Sequence, residues 1–167
     1  MVNLTGLRVA FAQGAVNYVI SDNGGCNIVS SNQGIGRVYF WRHMTLGGAR
    51  STYTDDGSLG YIQHIANTAK QTQVGNCTEK SAVAFMYLYD KNRQVCRPLN
   101  WCSVGNGAHM FVVIGTISGK KSFINRPETW PDDTIVCDPW NEVVHTGKQW
   151  QANQNCASSS IVQEFFC

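Results

Sequence analysis

The chain has 167 residues, 43% of them hydrophobic and 14% charged, enough to bury a core and suited to a single domain over 1–167. Its formal net charge is only +2 and no basic block exceeds Lys120-Lys121, which argues against nucleic acid or an anionic membrane surface as partner. No apolar run reaches the length of a membrane span, and no basic-then-apolar segment marks secretion by the usual signal, so the expected location is cytoplasmic unless another export route serves.

In chain order, Leu7–Phe11 and Val16–Ile20 are β-prone runs separated by Gln13-Gly14, a pattern that predicts a hairpin. Ser21 to Gly36 is rich in Ser, Asn and Gly and reads as surface loop; its Gly34-x-Gly36 lacks the Lys-Ser/Thr ending of a phosphate loop. The β-branched and aromatic run Arg37–Met44 predicts a strand with His43 at its end, and Gly47-Gly48 opens a loop lasting to Gly57. Leu59, Ile62, Ala66 and Ala69 recur at helical spacing, which predicts a helix over Leu59–Gln71 with His64 on its exposed face.

A second helix is expected from Cys77 to about Asp90, with Ala82, Phe85, Met86 and Tyr89 as its buried stripe. Leu99–Val104 predicts a strand. His109–Ile117 is apolar at both alternating positions, the mark of a central strand, and Thr134–Asp138 predicts another, stopped by Pro139. Ile161–Phe166 suits a strand or a short helix. Helices preceding strands in this way predict an α+β domain, with the helices packed on one side of a mainly antiparallel sheet.

The chemistry concentrates at Gly75-Asn76-Cys77-Thr78-Glu79. Asn76 suits the N-cap of the second helix and Glu79 its N3 position, a capping box that sets Cys77 at N1. There the sulfur lies near unpaired backbone N–H groups and the positive end of the helix dipole, which favour thiolate and could stabilise an oxyanion. A buried structural cysteine is the competing explanation. The seven cysteines, 26, 77, 96, 102, 137, 156 and 167, allow three disulfides with Cys77 left over, or a reduced set. Lacking a Cys-x-x-Cys pair, they do not suggest zinc.

If the strands that start at His109 and end at Asp138 are antiparallel neighbours, the imidazole and the carboxylate meet. With Cys77 packed against the other ring nitrogen, the three form a Cys-His-Asp triad: nucleophile, base, and the group that orients the base. His145 is the alternative base, in a region read as irregular.

Gln71…Gly75-Asn76-Cys77-Thr78-Glu79, Ala108-His109-Met110-Phe111-Val112-Val113 and Val136-Cys137-Asp138-Pro139-Trp140 resemble the papain-like Cys-His-Asp superfamily of bacterial toxins and effectors, most closely its glutamine and asparagine deamidases. The resemblance covers about 71–140. It implies a papain-like domain with its triad core at about 59–140 and elaborations at 1–58 and 141–167. It further implies Cys77, His109 and Asp138 as the catalytic residues, Gln71 (or Gln73) in the oxyanion hole, and Asn76 and Trp140 in contact with substrate. Glu79 departs from the small residue often found there. The implied activity is deamidation of Gln or Asn in a target protein, with no cofactor or metal, by a monomeric effector acting in a target-cell cytosol. A papain-like protease, a transglutaminase and a non-catalytic binding module are the alternatives.

Overall fold

The computed structural model describes residues 3–30, 37–91, 93–104, 109–117, 129–153 and 161–167. Its elements are helices α1 (Leu4–Ile20), α2 (Arg37–Arg50), α3 (Leu59–Thr72), α4 (Cys77–Lys91) and α5 (Gly147–Asn153), and strands β1 (Val29–Ser30), β2 (Val74–Gly75), β3 (Leu99–Val104), β4 (His109–Ile114), β5 (Ile135–Asp138), β6 (Val143–Thr146) and β7 (Ile161–Phe166). The fold is α+β. Five strands form one sheet in the order β6-β5-β4-β3-β7, and every pairing in it is antiparallel.

The sheet has two apolar faces, as the continuous hydrophobic run of β4 requires. Met110, Val112 and Ile114 point into the main core with Trp101, Ile135 and Cys137, beneath the buried residues of α1, α3 and α4. Phe111 and Val113 point the other way, into a smaller core with Val136, Trp130 and Trp150. Trp150 belongs to α5, so a short helix also covers the face opposite the three long ones. The tail at Ile161–Phe166 is a strand, paired with β3.

Several expectations are corrected. The predicted hairpin at Leu7–Ile20 is one helix, α1, capped by the Asn3 side chain accepting from the Gly6 N–H. Its buried residues Arg8, Ala12, Ala15, Val16 and Val19 recur at helical spacing, and burial against α4 and β5 overrides the local β-propensity. Gly14 serves close packing: a Cβ there would come within 3.1 Å of the Tyr87 hydroxyl on α4. Arg8 is 5% exposed and anchors the helix by donating to the carbonyls of Val95, Arg97 and Asp133 and to the Asp133 carboxylate.

The predicted strand at Arg37–Met44 and the loop at Gly47-Gly48 together form the helix α2. Leu46 of α2 is 1% exposed, and the helix packs on α3 and β2. Within the stretch read as surface loop, Cys26 and Ile28 are buried, and Val29–Ser30 pairs in parallel with β2. The Gly34-x-Gly36 motif lies outside the described residues.

The helix assignment of α1 is testable by overpacking. Ala15→Leu at its buried face is expected to cost roughly 1–3 kcal/mol in urea unfolding, whereas Val9→Ala on its outer face changes stability by less than about 0.5 kcal/mol. The buried Val16 and Val19 share the buried face three residues apart, whereas in a strand an odd separation would set them on opposite faces.

Candidate active site

The antiparallel register of β4 and β5 pairs Val112 with Cys137, Val113 with Val136 and Ile114 with Ile135. Continued by one residue, it sets Asp138 opposite Phe111, so His109 is the diagonal neighbour of Asp138 on the same face. The side chains meet: His109 Nε2 lies 2.7 Å from Asp138 Oδ2. The ring stacks on Phe111, with centroids 6.1 Å apart.

Asp138 is 0% exposed, and a buried carboxylate needs donors on all its lone pairs. Oδ2 also accepts from Asn141 Nδ2 at 2.8 Å, and Oδ1 accepts from the backbone N–H groups of Trp140 and Asn141, both at 3.2 Å. The turn Asp138-Pro139-Trp140-Asn141 thus folds back on its own carboxylate and fixes the acid that orients the histidine. Asn141 is a site residue that the sequence reading missed; an Asn three positions after an Asp in a turn was the available signal.

Cys77 is the first residue of α4 and is half-buried. Desolvation pushes its thiol up, but hydrogen bonds from the His109 ring and the Met110 N–H and the nearby His109 charge outweigh it, and the thiol is held below its ordinary value. His109 shows the reciprocal effect. Burial opposes its charge, but the hydrogen bonds to Asp138 and Cys77 and their negative charges prevail, pushing the imidazole up to about 9. With Nε2 on Asp138, Nδ1 remains for the sulfur. The two shifts together favour a thiolate–imidazolium pair at neutral pH.

The capping box forms in half. Glu79 Oε2 accepts from the Asn76 N–H at 2.8 Å, but Asn76 Oδ1 is buried without a hydrogen-bond partner. Gly75 has to be glycine for this turn, because a Cβ would stand 2.5 Å from the Glu79 Cβ. Trp140 is half-buried, and the Lys80 ammonium lies 5.5 Å from its ring centroid. Lys80 follows Cys77 by one helical turn, so this cation–π contact joins the start of α4 to the Asp138 turn.

The other candidates lie elsewhere. Gln71 sits in the last turn of α3 with its side chain exposed, and no hydrogen bond among the described residues links it to the triad. Gln73 is the left-handed C-cap of α3, with φ 54°, and its carbonyl accepts from Val29. His145 is in β6, opposite Val136, rather than in irregular chain, and makes no hydrogen bond with the triad among the described residues. His64 is exposed, as expected. Cys26, Cys77, Cys96, Cys102, Cys137 and Cys167 are free thiols; Cys156 lies outside the described residues. Among the described residues no cluster of His, Cys, Asp and Glu is suited to a metal, and no helix is long and apolar enough to cross a membrane.

Compared with known proteins, the chain matches no protein-family model, no curated protein and no solved structure.

Alkylation of the thiols by iodoacetamide across pH checks the electrostatics. Cys77 is expected to react with a midpoint below that of a free thiol, and His109→Ala should move the midpoint upward. Cys102 and Cys137, both 0% exposed and pushed up by burial, serve as internal controls that stay unmodified in the folded protein.

Proposed function

We propose that the protein is a cysteine-dependent amidohydrolase, acting on the side-chain carboxamide of Gln or Asn in a target protein. The observation that carries this reading is the ordered pair of His109 from β4 and Asp138 from β5, with the acid fully buried and the base held against it at 2.7 Å, beside the start of α4 where the ring's charge acts on the Cys77 thiol. A structural cysteine requires neither an imidazole beside it nor a carboxylate behind that imidazole.

The Cys77 thiolate attacks the carboxamide carbon, and the carbonyl oxygen takes up the negative charge. The first intrahelical bond of α4 runs from the Lys80 N–H to the Asn76 carbonyl. The N–H groups of Cys77 and Thr78 therefore precede the hydrogen-bonded ladder, and they are the nearest donors for the oxyanion. Gln71 would have to leave the exposed face of α3 to join them.

The His109 imidazolium protonates the departing nitrogen, the C–N bond breaks, ammonia leaves and a thioester remains on Cys77. Neutral His109 then removes a proton from water, the resulting hydroxide attacks the thioester, and the C–S bond breaks to release a carboxylic acid and regenerate the thiolate. Asn76 Oδ1, buried and unpaired beside the nucleophile, suits the N–H₂ group of a carboxamide, and Trp140 offers an apolar wall. In this proposal the chain is a papain-like effector, working as a monomer on a protein of a target cell.

Intact-mass analysis of a modified target tests the reaction: exchange of an NH₂ for an OH supports deamidation, two fragments mean proteolysis, and an added amine means transamidation. Cys77→Ala is expected to abolish the change. Asp138→Asn should lower kcat by about 10³–10⁴-fold, since the amide fixes the wrong tautomer, and should shift the basic limb of the rate profile down from its position near 9. Full activity of Cys77→Ala would refute the enzyme reading.

A further inference from the structure

The Glu79 carboxylate is an unusual neighbour for a thiolate. It is 1% exposed, sits two residues after Cys77 in the first turn of α4, and brings a negative charge to the helix end whose positive potential should serve the sulfur. A carboxylate left alone there would oppose ionisation of Cys77. It is not alone: Arg50, in the last turn of α2, grips it with two parallel hydrogen bonds, Nε to Oε1 at 2.7 Å and Nη2 to Oε2 at 2.8 Å. The same Oε2 accepts from the Asn76 N–H, immediately before the nucleophile.

We propose that Arg50 is a positioning residue for Cys77, neutralising and fixing the buried Glu79 carboxylate so that the turn at Asn76 is held while the thiolate keeps the field of the helix end. The inference rests on Cys77 being the nucleophile. It assigns a function to α2, a helix that contributes none of the triad residues.

The surroundings support this division of work. His109 and Asp138 act on the sulfur from the sheet side. Lys80, on the same helix, points to Trp140 and interacts with Asp138 and Glu142. On the Glu79 side stand Arg50, Tyr53 and Tyr61, and both phenols are pushed up by burial first and in part by the Glu79 charge. Arg50 thus meets Glu79 directly, and the Cys77 charge reaches it as well. A planar guanidinium on a carboxylate is a geometric clamp that a lysine cannot reproduce.

The signs separate this device from a merely structural ion pair. Arg50→Gln leaves the carboxylate uncompensated and should raise the pH midpoint of Cys77 alkylation by about one unit. Glu79→Gln keeps an acceptor for the Asn76 N–H but leaves the guanidinium charge unopposed, and should lower the midpoint. The double variant should fall between the two, and Arg50→Lys should stay near wild type in midpoint while losing thermal stability. If both single variants move the midpoint the same way, or neither moves it while circular dichroism shows a native fold, the pair is structural only and the inference fails. Should Arg50→Gln not fold, Glu79→Gln decides the matter alone: a lowered midpoint supports the inference, and a raised or unmoved one overturns it. An ordinary thiol midpoint in the wild type would instead sink the nucleophile reading itself, and the inference with it.

Discussion

The structure depends on the burial of one carboxylate. Asp138 has no exposed surface, yet both its oxygens are satisfied, by the His109 ring, the Asn141 amide and two backbone N–H groups of its own turn. An ionised carboxylate out of water is costly by several kcal/mol unless so surrounded. The arrangement therefore constrains the chain on both sides: β5 must end where the turn can fold back, and β4 must begin where His109 reaches across the diagonal. An orienting acid fixed this firmly leaves the imidazole few orientations, and that is what a base in catalysis requires.

Cys77 is held by a separate set of contacts. Glu79, Arg50 and the Asn76 N–H fix the start of α4 from the side of α2, while Lys80 over Trp140 ties the same helix to the Asp138 turn. Two separate braces thus hold the start of α4, one through Glu79 and one through Lys80. Both place a cation near the site without setting it on the sulfur, so the imidazolium remains the thiolate's immediate partner.

Much of this was legible because the sequence signals were local. The helix start at Cys77, the apolar run after His109 and the stop at Pro139 each follow from a few adjacent residues, and the antiparallel register then brings His109 to Asp138. Other features could not be read that way. The β-branched residues of Leu7–Ile20 and Arg37–Met44 suggested strands, but both stretches lie in helices held by partners far along the chain: Arg8 by carbonyls near 95–97 and 133, and Arg50 by Glu79. Gln71 looked suited to an oxyanion hole by its distance from Cys77 in sequence, yet α3 continues through it and leaves its side chain exposed. Glu79 seemed a neutral departure from a family pattern, because nothing in its neighbourhood pointed to an arginine on another helix.

The central claim is that Cys77 and His109 ionise as one unit, with the ring oriented by Asp138. The most direct measurement is an NMR titration of the His109 ring nitrogens in the wild type and in Cys77→Ala. The account predicts an imidazolium that persists to about pH 9 in the wild type and loses its proton at lower pH once the sulfur is removed. A His109 that titrates near the ordinary value of about 6.5, and does so equally in both proteins, would contradict it.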